Sequence, residues 1–496
     1  MEKEEMDAAL IHEEMAQQHK NPLVQRSKGG FITMPFIIAN ESLAKLASVG
    51  LIPNMILYLT KDYRVRVVKA TQIMYYWLAA TNFTPVVGAV IADSYLGRFL
   101  AIGLGSILCF LGMAVLWLTS MSPTARPPPC LHSTEDCQSA TTSQLALLLS
   151  CFALISIGGG GISCSLAFGA DQLKKKTDPD NQRVLESFIS WFLNKACIIK
   201  DREKDIASDG SASSTWSLCT IEQVEGLKAI IKVIPLWSSS IMISVSTSQT
   251  SFRLLQAKTM DRHITPSFEI PAGSFGLFSM VSVFITAGVY DRVILPLASK
   301  LRGKSVSISA KKRIGIGLFF SFLDFVVSAV IETIRRRRAV EEGYIDDPQA
   351  VLNMSAMWLI LHHVLTGMAE AFNAIGQSEF YYSEFPSSMS SIAASLFSLG
   401  NAVGNLVASM IFRIVDDITS RGGKQSWVSD NINKGHYDKF YWLLTMMSFV
   451  NMLYYLVCSW GYGPSAEAEQ GNNTNVHCEP EEAKQGSNGE QILNPR

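Results

Sequence analysis

The chain has 496 residues, 48% of them hydrophobic and only 17% charged, with a mean hydropathy of +0.20 and a formal net charge of -1. So few charges, against roughly 25% in an ordinary soluble domain, point to a membrane protein, and the lack of a basic excess excludes a nucleic-acid binder that works by neutralising phosphates. No nucleophile–base pair, phosphate-binding loop or metal-ligand spacing is present, so an enzyme is not expected, nor a cofactor.

Residues 1–28 begin MEKEEMDAALIHEEMAQQHK, acidic and polar where a signal peptide would be basic and then apolar, and read as a cytosolic tail. Gly29 to Thr60 follow, about thirty mostly apolar residues, enough to span a bilayer with some tilt. Glu41 and Lys45 lie inside this run, four residues apart and therefore on one helical face. Each costs roughly 2.5–3.5 kcal/mol at the centre of a membrane helix, so the functional reading is a pair facing a bundle interior or wet cavity. The plainer alternative is an ion pair that merely tolerates burial.

Further apolar runs of spanning length recur near 70–92, 98–120, 143–168, 226–249, 274–297, 314–332, 353–380, 390–415 and 439–461. None alternates as a barrel strand would, so an all-α membrane protein of about ten helices, four and then six, is expected. Between the second and third runs stands GAVIADSYLGR, where Asp93 ends one helix, Gly97 lies in the short connection and Arg98 opens an antiparallel neighbour. The four glycines Gly158 to Gly161 suit close helix approach. The segment 193–225, charged and rich in Ser and Gly, reads as a cytosolic linker, and the polar residues 464–496 as a disordered tail. The incomplete first bundle then occupies 29–192 and the second 226–463.

The nine cysteines are scattered. Cys109, Cys151, Cys164 and Cys458 sit in apolar runs and read as packing residues. Cys130 and Cys137 lie in a polar loop and could pair if it faces an oxidising side. IPLWSSSIMISVSTSQ carries a hydroxyl-rich stripe in which Thr247 and Gln249 could offer donors to an anion. Serines and threonines in membrane helices also bond back to their own carbonyls, which would make most of the stripe neutral. Asp324 stands mid-span, placed equally well in a cavity or near the membrane edge. Gly400 and Gly404 have a packing spacing.

GAVIADSYLGRF, FGADQ at Phe168 to Gln172, LLQAKTMDRHITPSFEIPAGS at Leu254 to Ser274 and GMAEAFNAIGQSEFYYSEFP at Gly367 to Pro386 together resemble the plant nitrate/peptide transporter family, the proton-dependent oligopeptide branch of the major facilitator superfamily. The resemblance covers about Gly29 to Gly463. It implies two six-helix bundles around a central cavity, a small-molecule substrate, protons as co-substrate and alternating access in a lipid bilayer. Tyr290-Asp291-Arg292 resembles a second-half counterpart of Asp93 to Arg98. Glu370 matches the family's intramembrane glutamate of the tenth helix and is the leading candidate for a substrate- or salt-bridge-linked gate, the plainer alternative being a structural hydrogen bonder.

The chain departs from the family in five places. Ala44 replaces the second acidic residue of the first helix, and Ile162 stands where relatives often carry a cavity base. Thr247 occupies a position where nitrate-binding relatives can have histidine, and Ala101 one where some have a phosphorylatable threonine. VLESFISWF at Val184 to Phe192 begins as the family's fifth helix does and then runs directly into linker sequence, so the fifth and sixth helices are expected to be absent. Loss of a pair keeps both tails cytosolic. Lys174 to Lys176 and Lys300 to Arg313 then fall inside, as the positive-inside rule asks, whereas Lys61, Arg64, Arg66, Lys69 and Arg335 to Arg338 fall outside. The expected function is a secondary carrier of nitrate, peptides or related anionic solutes, in the plasma membrane in preference to the vacuole. The alternative is a transport-deficient truncated form or a membrane scaffold.

Overall fold

The computed structural model describes residues 34–128, 139–163, 221–303, 308–385 and 390–463. Ten helical rods follow one another within them. The first four are α1 (Met34–Leu57), α2 (Val67–Ile91), α3 (Arg98–Met121) and α4 (Thr142–Ile162). A fifth is broken into α5 (Ile221–Ser239), α6 (Ile241–Thr247) and α7 (Thr250–Lys258), and a sixth into α8 (Gly276–Val289) and α9 (Leu295–Arg302). The last four are α10 (Ala310–Glu341), α11 (Trp358–Glu384), α12 (Ser390–Thr419) and α13 (Tyr437–Gly461). Seven are long and apolar enough to cross a membrane by length and composition. Those that fall short are α1, α2 and α11, the last diluted by His362, His363, Glu370 and Asn373.

Local chemistry sets the ends. The α4 helix starts at a capping box: Thr141 Oγ1 accepts from the Gln144 backbone N–H at 3.3 Å, while Gln144 Oε1 accepts from the Thr141 N–H at 3.1 Å. A wide π turn, Ala92–Leu96, joins α2 to α3 and ends at Gly97, whose φ of 75° is one that only glycine adopts without strain. The Tyr290–Ile294 segment between α8 and α9 is also a π turn, so Asp93 and Asp291 lie in backbone of the same unusual kind.

In the first half α4 packs against both α2 and α3. The close approach depends on its glycines: a Cβ on Gly160 would stand 2.7 Å from the Thr84 carbonyl oxygen, and one on Gly161 2.4 Å from that of Ala101. Gly158, Gly160 and Gly161 are therefore packing residues, whereas a Cβ on Gly159 would meet only the Thr81 methyl at 4.0 Å. In the second half α10 is central, flanked by α11 and α13, with α8 on α11 and α6 on α12. A Cβ on Gly404 would lie 2.3 Å from that of Ser244, so this spacing also serves packing.

The halves meet along α2 and α12. Two apolar cores join them: one unites Met55, Ile56 and Tyr63 of the first half with Leu254, Met260 and Phe275 of the second, and the other sets Tyr75 of α2 among Phe252, Phe412 and Tyr441. At the π-turn end the cores stay separate: Ala92 and Ala101 form one, and Val233, Ile314, Phe380 and neighbours another. The chain between α7 and α8 supplies most of the few strands that the all-α expectation leaves out. β1 (Met260–Asp261) pairs in parallel with β4 (Leu352–Ser355), and β2 (His263–Thr265) with β3 (Phe268–Glu269) as a hairpin.

Five of the arginines that contravene the positive-inside expectation, Arg64 and Arg335 to Arg338, are engaged in structure. Arg335 is fully buried, its Nε 2.7 Å from Glu332 Oε2 and its Nη1 2.6 Å from Asn433 Oδ1. Arg336 donates to the Gly435 carbonyl at 2.8 Å, Arg337 to Glu341 at 2.8 Å and Arg338 to the Asn353 carbonyl. Arg64 donates to the Pro128 carbonyl. These groups cap and brace one end of the bundle.

Candidate functional site

Three to four residues separate His362, Thr366, Glu370, Asn373 and Gln377, so one face of α11 carries a polar stripe along the rod. Its lower members form a chain in which Gln377 Nε2 donates to Asn373 Oδ1 and Tyr381 Oη to Gln377 Oε1, each at 2.8 Å. Its upper members meet α7 and α10. Arg253 donates through Nη1 to Thr366 Oγ1 at 3.0 Å and through Nη2 to Asp324 Oδ2 at 2.7 Å. Ser246 Oγ donates to the same carboxylate oxygen at 2.6 Å. Asp324 is completely closed to solvent and Arg253 nearly so, and the Coulomb attraction between them is correspondingly little screened. His362 Nδ1 stands 3.8 Å from Asp324 Oδ1.

Of the two placements open to Asp324, the structure therefore shows neither in simple form: the residue is buried inside the second half as the counterion of Arg253. Glu370 is exposed, although its stripe neighbours Thr366 and Asn373 are buried.

The other sequence candidates fall as follows. Glu41 and Lys45 belong to α1, but their side chains lie outside the described residues, as do those of Asp93 and Asp291. Arg98 opens α3 and is half-buried, while Gly97 and Arg292 are exposed. Thr247 Oγ1 donates to the Ser244 carbonyl at 3.1 Å and Gln249 Nε2 to the Val245 carbonyl at 2.9 Å, so both donors expected to face an anion are committed to their own helix. Gln249 instead offers its oxygen to Tyr75 Oη of α2 across the interface between the halves, at 3.3 Å. Most of the hydroxyl stripe does bond back to its own rod, the exceptions being Ser246, Ser244, which donates to Asn401 Oδ1 at 2.6 Å, and Ser240, whose hydroxyl has no hydrogen-bond partner among the described residues. Cys151 is buried and Cys109 and Cys458 half-buried, whereas Cys130, Cys137, Cys164, the fifth-helix remnant, the linker and both tails lie outside the described residues.

Sequence reading missed Arg253, His362, His363 and Tyr75. A signal existed for three of them: His362 and His363 stand at helical spacing from Glu370 in an otherwise apolar run, and Arg253 follows the hydroxyl stripe by one turn. Tyr290, in the motif paired with Asp93 to Arg98, accepts from Arg313 Nε at 2.9 Å, and Arg313 also pairs with Glu379. This ties the π turn to α10 and α11. A groove of about 410 Å³ between α1 and α3, lined by Leu51, Met55, Tyr58 and Trp117, is largely apolar and separate from these groups.

Two helical halves, apolar outside and carrying ion pairs and a polar stripe within, define a multi-pass integral membrane protein of the carrier type. Residues 99–198 and 194–428 match the model of the POT family. The Arabidopsis thaliana Protein NRT1/ PTR FAMILY 1.2 is 46% identical, over 92% of this chain and 94% of that protein, and Protein NRT1/ PTR FAMILY 1.3 of the same plant is 40% identical over 88% and 96%. A crystal structure of an auto-inhibited POT family peptide transporter shares the fold, with a TM-score of 0.58 at 15% identity, covering 86% of this chain and 96% of that one. The chain belongs to the POT family and is a secondary transporter, not an enzyme. The alignment with the 1.2 relative runs over 568 positions, far more than 92% of 496 residues can fill, and the two stretches matched to the family model abut at 194–198.

Proposed function

We infer that the chain carries small anionic or zwitterionic solutes, nitrate or peptide-like compounds first and related anionic metabolites or hormones second, across the plasma membrane by proton-coupled alternating access. The observation that carries this reading is the exposure of Glu370 in the middle of a stripe whose other members are buried. An exposed carboxylate on this stripe suits the amino group of a zwitterion, and Lys45 with Glu41 on α1 would supply the opposing charges. The two apolar cores that join the halves, with separate cores at the π-turn end, support a crevice opening on the π-turn side. The relatives' names include NRT1 and PTR, and neighbouring POT structures hold alafosfalin and 5-aminolevulinic acid. Ala44 and Ile162 leave the first half poorer in charge than the family pattern, so coupling would draw on groups elsewhere.

A second reading, a transport-deficient form or a membrane scaffold, is favoured by the surplus of alignment positions and by the break in the family match at 194–198. Both support the absence of the fifth and sixth helices. Phe36 and Leu43 on α1 are 75% and 66% exposed, as a rod without its usual neighbours would be. Uptake in a heterologous membrane separates the readings: a carrier moves at least one member of a nitrate, dipeptide and hormone panel, and Glu370→Ala abolishes or alters that uptake. No movement of any member, together with ligand binding unchanged in Glu370→Ala, would overturn the carrier reading.

A further inference from the structure

The buried cluster around Asp324 has unused hydrogen-bonding capacity on each side of a short gap. Asp324 Oδ2 is taken by Ser246 and Arg253, whereas Oδ1 has no hydrogen-bond partner among the described residues. Facing it at 3.8 Å is Nδ1 of His362, a side chain 1% exposed whose two ring nitrogens are both without hydrogen-bond partners among the described residues. A neutral imidazole always has one N–H to donate and one lone pair to fill, so two idle nitrogens beside an idle carboxylate oxygen form an unfinished arrangement. A movement of about an ångström would bring this contact to hydrogen-bond length.

We propose that His362 and Asp324 form a proton-binding site in the second half of the molecule. A proton from the crevice adds to the Nδ1 lone pair of His362. The resulting imidazolium donates Nδ1–H to Asp324 Oδ1, and the carboxylate is then shared between His362 and Arg253. Among the described residues, the charged, titratable and hydroxyl groups that face the site come from the helices packed around it. From α7 comes Arg253, and from α11 come His363, whose ring centroid is 4.2 Å from that of His362, and the hydroxyl of Thr366. His363 Nδ1 contacts Ser279 Oγ of α8 at 2.9 Å. The phenols of Tyr441 on α13 and Tyr75 on α2 complete the surround, and the next ion pair along α10 is Glu332 with Arg335.

The position allows proton occupancy to act on the interface between the halves. Arg253 belongs to α7, and its backbone N–H bonds the carbonyl of Gln249 at 3.2 Å, at the break between α6 and α7. Gln249 is the residue that accepts from Tyr75 across the interface. Loosening Arg253 from Asp324 therefore bears directly on the contact between the halves. Glu370 lies one turn beyond Thr366 on the same face and is exposed, so solvent reaches this stripe two turns from His362.

The site rests on the carrier reading for its role but not for its existence, and the two are tested separately. Infrared difference spectra of the purified full chain on acidification should show an imidazolium signal that is lost in His362→Gln and retained in His363→Gln. In proteoliposomes His362→Gln should keep substrate counterflow, which shows that it is folded, and lose accumulation driven by a proton gradient. Asp324→Asn should lose the same accumulation. An undiminished imidazolium signal in His362→Gln, or proton-driven accumulation equal to the parent's, would overturn the proposal. If the parent moves no solute, the carrier reading falls, and the infrared titration still decides the proton site.

Discussion

Tyr75 on α2 and Gln249 at the break between α6 and α7 are joined by a 3.3 Å hydrogen bond, so a buried polar contact crosses the boundary between the two halves. A single neutral bond is worth about 0.5–1.5 kcal/mol, enough to move a balanced equilibrium between conformations several-fold. Tyr75→Phe is expected to favour separation at the hairpin end. Spin labels on the exposed positions Thr124 and Ser267 should report a larger population at long distance. An unchanged distance distribution would show that the bond does not bias access.

The Arg253–Asp324 pair makes a different prediction, because neither group reaches water. Removing the cation alone strands a buried carboxylate, a change that typically costs about 3–5 kcal/mol, while replacing both partners with apolar side chains costs far less. Arg253→Met should therefore lower the melting temperature in detergent, and Arg253→Met with Asp324→Leu should recover most of the loss. Equal melting of the two variants would mean that the stranded carboxylate is not what destabilises the single one.

The glycines of α4 set helix separation. Gly160→Ala would force its new methyl into the Thr84 carbonyl, and overpacking of this kind costs about 1–3 kcal/mol. Gly103, beside which a Cβ meets nothing within 4 Å, provides the control. Thermal melts should separate Gly160→Ala from the parent and leave Gly103→Ala close to it.

His436, in the loop before α13, gives a pH dependence from a group outside the membrane-spanning helices. Burial, then the nearby charges of Arg336 and Lys439, push its imidazole below the ordinary value, with Asp438 acting in the opposite sense. The unfolded chain takes up this proton at higher pH than the folded one. The stabilisation is thus complete above about pH 6.5 and is lost as pH falls toward the folded value. Melting temperature between about pH 7 and 5 should fall less steeply in His436→Gln than in the parent. Parallel slopes would show that this imidazole does not contribute to the acid sensitivity.

The spans were legible because twenty apolar residues have few soluble uses, and the Gly160 and Gly404 contacts followed from small residues at helical spacing. Breaks were harder to see. Nothing in the hydropathy of residues 226–249 marks the interruption at Ser240, where the chain turns through short i to i+3 bonds such as Ser240 N–H to the Trp237 carbonyl at 3.1 Å. The partner of Asp324 was equally hidden, because Arg253 lies 71 residues away and only the packing of α7 on α10 brings them together. The long reach of α10 to Glu341 was masked by its four arginines, which look like a loop until their carbonyl and carboxylate partners are known. Glu370 was visible as a charge in an apolar run, but its exposure between buried neighbours needed the coordinates.

The most direct test is counterflow by the purified full chain, alone in lipid vesicles, with labelled members of the nitrate, dipeptide and hormone panel. A self-sufficient carrier should exchange at least one of them saturably, with the exchange abolished in Glu370→Ala. Absence of exchange for every solute, from protein that melts cooperatively and is therefore folded, would contradict the carrier reading.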